Sequence, residues 1–156
     1  MEVIDMKKLV LIAVCVLFVA STVFAADFIT SQKCKMCHKG AKKGEVFEKW
    51  EKSSHAKAFE TLKAKGEDKN PKCLECHTTG YDGSAYKEEG VGCEACHGAG
   101  SDYKKMSVMK DKAKAMEAGL IIPDEAACKK CHNEKSPTFK GFNFEEFSKK
   151  IDHKYM

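Results

Sequence analysis

The sequence predicts a mainly α-helical chain with extensive irregular loops, and three observations carry that reading. Apolar residues recur at helical spacing in several short stretches, while no stretch alternates as a strand does. Glycine, proline and capping residues cut those stretches short. The third observation is the cysteine pattern. Of nine cysteines in 156 residues, eight fall into four pairs: Cys34-Lys35-Met36-Cys37-His38, Cys73-Leu74-Glu75-Cys76-His77, Cys93-Glu94-Ala95-Cys96-His97 and Cys128-Lys129-Lys130-Cys131-His132. Each is C-x-x-C-H, and their uneven spacing excludes a solenoid.

In chain order, Lys7 and Lys8 precede an apolar run from Leu9 to Ala20, and small residues lead to Val23-Phe24-Ala25. That is the form of a secretory signal cleaved after Ala25. Met6 makes a better start for it than the acidic Met1–Asp5 stretch. The run falls short of the ~20 residues that span a bilayer, which sets an uncleaved anchor aside. Cys15, preceded by Val14 rather than a small residue, makes a poor lipoprotein site. The mature chain is then a single domain, residues 26–156, exported to the periplasm or beyond, with no stable membrane insertion.

Within it, Gly44 to Lys65 reads as one helix with Phe47, Trp50, Ala58, Phe59 and Leu62 near one stripe, and His55 on that stripe. Lys69–Gly92 is glycine-rich irregular connection around the second motif. Ser101 caps a helix that runs to Ala118 and stops at Gly119, its face collecting Tyr103, Met106, Met109, Ala113 and Met116. Pro123 and Asp124 open a short helix for the fourth motif. Asn143 and Glu146 form a capping box for a last helix containing Phe144, Phe147 and Ile151.

C-x-x-C-H is the signature of covalent haem c attachment. Two thiols add across the two vinyl groups of one haem, and the adjacent histidine sits beneath the iron as its proximal ligand. Zinc ribbons also use C-x-x-C pairs but do not require a histidine after every second cysteine. Redox disulfides of this spacing sit in βαβ patterns, which this chain lacks. Four covalently bound haem c groups in residues 26–156 leave roughly 33 residues for each, too few for an ordinary core around every cofactor. The porphyrins are therefore the core, and they lie close together.

The charge supports no nucleic-acid role. The formal net charge is +4, evenly spread, and all 27 basic residues are lysine, so the arginine forks that read guanine edges or clamp phosphates are missing. The lysines solvate the surface and offset haem propionates.

Axial ligation is a counting problem. Six histidines are present, and His38, His77, His97 and His132 are proximal, so His55 and His153 remain for distal positions. At most two haems are bis-histidine; the others take methionine, another ligand, or stay open. Met106 and Met109, one helical turn apart, are candidate thioether ligands.

Cys34–His38 followed by Trp50 and Ser54-His55-Ala56-Lys57-Ala58, then Gly90-Val91-Gly92-Cys93-Glu94-Ala95-Cys96-His97-Gly98-Ala99-Gly100, and last Cys128–His132 with Ile151-Asp152-His153 resemble a known family. It is the family of tetrahaem c-type cytochromes typified by the electron acceptor of hydroxylamine oxidoreductase. The resemblance implies a helical, haem-packed domain with three bis-histidine haems and one five-coordinate haem. By position it pairs His55 with His97 at the third haem and His153 with His132 at the fourth, and leaves the His77 haem open. The family's distal histidine for the first haem lies just after the third motif, where Ser101–Met109 here contains none. The chain is also shorter than the family leads one to expect, so the physiological partner does not carry over.

Two functional classes follow. One is an electron carrier that passes electrons between redox protein partners through closely packed haems. The other is a reductase or sensor for a small ligand, of the nitric oxide, nitrite or hydroxylamine type, at a five-coordinate haem. The second needs proton donors near the iron, and the segment after His77 offers Thr78, Thr79, Tyr81 and Asp82, all common turn formers. The carrier is the better reading.

Overall fold

The computed structural model describes residues 26–81 and 87–153. The expected signal segment, with Cys15, and Asp82 lie outside the described residues. Among the described residues nine short helices follow one another: α1 Ser31–His38, α2 Val46–Glu51, α3 Ala58–Lys65, α4 Pro71–His77, α5 Cys93–His97, α6 Met106–Met109, α7 Lys112–Glu117, α8 Glu125–Lys129 and α9 Phe144–Ile151. Single 3-10 turns occur at Ala41–Lys43 and Lys87–Glu89. No strand occurs among the described residues, and loops fill the rest. The fold is mainly α with extensive irregular structure, as the sequence predicts.

The first long helix expected, from Gly44 to Lys65, is two. Serine at 53 breaks it by offering the backbone an alternative to the helical ladder. The Ser53 hydroxyl donates to the Trp50 carbonyl at 2.6 Å and accepts from the Ala56 N–H at 3.4 Å. His55 therefore sits on the turn between α2 and α3, not on a helical stripe. The expected helix from Ser101 to Ala118 also divides. The Ser101 hydroxyl is not a cap; it accepts from the Asp27 N–H and donates to Asp102. Asp111 caps instead, accepting from the Ala113 and Lys114 N–H groups at 3.1 and 3.2 Å, which starts α7 afresh after α6. The other caps hold where expected. Asp124 accepts from Ala127 N–H at 2.9 Å to open α8, and Asn143 accepts from Glu146 N–H at 3.1 Å to open α9. Glu146 turns away from the reciprocal half of that box and pairs with Lys150 at 2.9 Å.

The side-chain core is small. Phe59, Leu62 and Leu74 form a cluster with Cys73 against it, joining α3 to the second motif's helix. Phe47, Ala58, Tyr103 and Ala115 are the other buried apolar residues described. Burying such a large side chain contributes about 1.5–3 kcal/mol. Ordering the backbone costs about 1–2 kcal/mol at every residue. Seven such residues cannot organise nine helices, which matches the expectation that the centre is filled by something other than side chains.

An N-terminal strap is the strongest polar tie. Residues 26–30 run extended ahead of α1 and lie along the third motif. Asp27 and Ser101 exchange hydrogen bonds. The Glu94 carboxylate, 2% exposed, accepts from the N–H groups of Ile29, Thr30 and Gly100 at 2.7–3.0 Å. Thr30 holds a left-handed φ of 73°, costly for a β-branched residue, and its bond to Glu94 compensates.

Candidate functional site

Each C-x-x-C pair is presented by one helical turn. Cys34 and Cys37 lie on α1, Cys73 and Cys76 on α4, and Cys93 and Cys96 on α5, with the histidine closing each helix. Residues i, i+3 and i+4 share one helical face, so two thiols and an imidazole point the same way. The fourth site departs slightly: α8 ends at Lys129, leaving Cys131 and His132 on the following turn. None of the eight cysteines is in a disulfide, and among the described residues no cluster of three or more His, Cys, Asp or Glu is placed to hold a metal ion as tetrahedral zinc requires.

The motifs meet through their thiols. A hydrogen bond between Cys34 and Cys93 pushes the Cys34 thiol well up and holds Cys93 down. Burial, with Cys76 beside it, pushes Cys131 up to about 12. Burial also raises Cys96, with Cys128 as its next influence. The first motif thus adjoins the third, the third the fourth, and the fourth the second.

The imidazoles are arranged in facing pairs. The rings of His55 and His132 have centroids 6.0 Å apart and planes at 79°, and those of His97 and His153 are 6.0 Å apart at 65°. With metal–imidazole bonds of about 2.0 Å, two rings that face one ion through Nε2 have centroids roughly 6 Å apart. Both pairs have the centroid spacing that two histidines would need to hold one iron in common. The partners are exchanged relative to those the resemblance implied: His55 faces the fourth motif's histidine and His153 the third's. The reason is where the chain delivers each ring. His55 rides on the turn before α3, whereas His153 follows α9 directly and swings to the third motif.

Nδ1 hydrogen bonds prepare three of the rings. His77 bonds the Ala58 carbonyl at 3.0 Å, His97 the Ile121 carbonyl at 2.9 Å and His153 the Ile151 carbonyl at 2.9 Å. A carbonyl only accepts, so Nδ1 carries the proton and Nε2 keeps its lone pair for a metal. Burial lowers the pKa of His38, His55, His97 and His132, which keeps them neutral as ligation requires. The His97 and His153 rings also act on His38, placing the first proximal histidine beside that pair.

The turn that carries His55 is clamped from the third motif's approach. Its carbonyl accepts from both Ala58 N–H at 3.1 Å and Val91 N–H at 2.9 Å, while Trp50 Nε1–H donates to the Val91 carbonyl at 2.9 Å. Gly90 has a left-handed φ of 71°, and a Cβ there would meet the His55 carbonyl oxygen at 2.6 Å. On the opposite side His132 stacks on Phe142 at 4.8 Å, and Phe142 on Phe147 of α9 at 5.4 Å.

His77 belongs to neither facing pair. The hydroxyls expected as proton donors near it are committed to the backbone: Thr78 donates to the Leu74 carbonyl at 2.7 Å and Thr79 to the Gly90 carbonyl at 3.0 Å. Both side chains are buried, whereas Tyr81 is exposed. Met106 and Met109 lie on the one-turn helix α6, Met106 63% exposed. Just before them, buried Tyr103 donates to the Gly98 carbonyl at 2.6 Å, and its phenol lies close enough to Cys34 and Cys93 for them to raise its pKa.

Three residues were not singled out by sequence reasoning. Glu94 sits between the third motif's cysteines, and Glu89 and Ser31 flank motifs. An acidic residue inside an attachment motif with a serine ahead of another is a faint signal, because nothing in the sequence shows that these segments touch.

A family model described as cytochrome c554 and c-prime matches residues 33–98. Cytochrome c-554 of Nitrosomonas europaea is 29% identical over 170 aligned positions, which cover 83% of this chain and 69% of that protein. No solved structure matches the chain.

Proposed function

We propose that the chain is a member of the cytochrome c-554 family of c-type cytochromes and an exported tetrahaem electron carrier. It is a c-type cytochrome that binds haem c covalently and serves redox protein partners. The finer reading is a mature domain of residues 26–156, periplasmic, carrying four haems. The observation that supports it best is the pair of facing imidazole couples at 6.0 Å, a geometry with no use in a zinc ribbon.

Haem c, when bound, supplies a one-electron ferric–ferrous couple. The residues act as follows. Cys34, Cys37, Cys73, Cys76, Cys93, Cys96, Cys128 and Cys131 hold the four groups, and His38, His77, His97 and His132 ligate them from the proximal side. His153, beside His97, and His55, beside His132, would supply the second histidine to the haems of the third and fourth motifs. Met106 or Met109 takes the sixth position opposite His38. The adjacent thiols bring the first motif beside the third, the third beside the fourth and the fourth beside the second, so haems held there would lie close to one another. Two imidazoles fixed by backbone bonds change little between oxidation states, which suits transfer rather than bond making.

The small-ligand reductase reading draws on His77 alone, and the commitment of Thr78 and Thr79 to backbone carbonyls weakens it. No helix among the described residues is long and apolar enough to cross a membrane. Expression with a periplasmic haem-attachment system tests the proposal. The expected product is a red protein whose mass exceeds the polypeptide from residue 26 by four haems, and which is reduced and reoxidised without turning over nitrite or hydroxylamine. A colourless zinc protein, or fast turnover at one high-spin haem, would overturn it.

A further inference from the structure

Glu89 stands at the seam between the first and third attachment segments. Its Oε2 accepts from the Ser31 N–H at 2.8 Å, and the hydroxyl of Ser31, itself wholly buried, accepts from the Cys93 N–H at 3.0 Å. Ser31 opens the helix of Cys34, so one carboxylate is tied by a single residue to both motifs. Its other oxygen, Oε1, is sealed from solvent and has no hydrogen-bond partner among the described residues. It presses on Gly92, where any side chain would collide with it. The Ser31 and Thr79 hydroxyls give the carboxylate only partial support, and a buried carboxylate oxygen so poorly satisfied is a costly arrangement.

Protonation resolves the arrangement. It turns Oε1 from an acceptor into a donor, with the Ser31 and Thr79 hydroxyl oxygens beside it. Burial raises the Glu89 pKa first, and the Glu94 charge adds to the rise; the Ser31 N–H and the Ser31 and Thr79 hydroxyls resist it. Nearby, Lys63 on α3 pairs with Glu88 rather than with Glu89, at 3.8 Å. Glu88, the next residue, is exposed. Cys34 and Cys93, which feel the Glu89 charge, are neutral once they are thioethers.

We propose that Glu89 is a proton-binding site coupled to reduction of the haems attached at Cys34 and Cys93, which makes the chain a proton-coupled carrier. The proposal rests on the haem-carrying function above. One electron from a redox protein partner converts a ferric centre to ferrous, one proton from water neutralises the Glu89 carboxylate, and reoxidation releases both. The added negative charge at the haem favours the protonated acid, and the protonated acid raises the haem's potential.

The test is a spectroelectrochemical titration of the purified holoprotein over a series of pH values, after haem content has been fixed by mass. In the wild type, the midpoint of the affected haems falls as pH rises through a window above the ordinary carboxylate range, then levels. Glu89→Gln, with its haems in place, holds the raised acid-limit potential and loses that part of the slope; what remains belongs to the propionates. Ser31→Ala removes a hydroxyl that favours the charged form, so its window moves to higher pH. A Glu89→Gln curve that overlays the wild type overturns the proposal. If that variant fails to mature, Ser31→Ala decides: an upward shift supports the proposal and a curve identical to wild type overturns it. A protein without haem at the mass stage fails the carrier reading instead.

Discussion

At the scale of single residues, sequence counting identified the imidazoles available for axial ligation but not their partners. Six histidines and four motifs leave His55 and His153, and that much needs no coordinates. Which faces which depends on a turn at Ser53 and on where α9 delivers His153, both tertiary facts. The facing geometry gives a direct expectation: His55→Ala converts one low-spin haem to high spin, and that haem is the one attached at Cys128 and Cys131. Electron paramagnetic resonance of the variant, compared with a protein in which Cys128 and Cys131 are both serine, checks it. With the fourth haem absent, His55→Ala should cost no further low-spin signal; a second loss would return His55 to the third haem. For the first haem, His38 has no histidine left to face, and the two methionines of α6 follow buried Tyr103 near Cys34. A thioether ligand raises a haem's potential relative to bis-histidine neighbours. The expected signature is the weak near-infrared band of ferric His–Met haem, abolished when Met106 and Met109 are both leucine. Its absence in the wild type would leave that iron open.

At the scale of elements, the caps at Asp124 and Asn143 were legible, while the cap at Asp111 and the helix breaks were not. Asp124 and Asn143 announce α8 and α9 because their side chains act within three residues. The break between α2 and α3 is made locally by Ser53 but held by Val91 reaching the His55 carbonyl, 36 residues away along the chain, and no local signal carries that second tie. Two substitutions test these ties. Gly90→Ala puts a Cβ 2.6 Å from the His55 carbonyl oxygen at a left-handed φ, so it destabilises the holoprotein by about 1–3 kcal/mol and loosens His55. Thermal melting and the low-spin count should fall together; a melt unchanged from wild type would remove the clamp from the account. Glu94→Gln keeps the shape but offers one acceptor oxygen to the three N–H groups of Ile29, Thr30 and Gly100. Leaving a buried N–H without a partner costs about 1–3 kcal/mol. The variant's strap should therefore release first, seen as faster amide exchange at Ile29 and Thr30 ahead of global unfolding.

At the scale of the molecule, the small side-chain core and the crowding of the attachment sites are one fact. The sequence could foresee it because four C-x-x-C-H motifs in so short a chain leave no room for a conventional interior. The described helices are three to eight residues in their regular parts, counting the 3-10 turns, and isolated helices under about 12–15 residues are marginal in water. Nothing local keeps them formed, and Phe59, Leu62 and Leu74 unite just two of them. The tie between the first and third motifs through Glu94, Glu89 and Ser31 is polar and directional: it fixes register but supplies little burial. Stability must come from the haems, whose binding to the folded chain alone shifts the folding equilibrium. The chain made without haem attachment should thus show weak helical circular dichroism and no cooperative melt, while the mature protein melts cooperatively. Restoring attachment one motif at a time, by changing the cysteines of the others to serine, should recover helicity in steps, with the first and third motifs cooperating because they share the Glu94 strap. A haem-free chain with full helicity and a sharp transition would show that the side chains suffice, and would remove the haems from the centre of the fold.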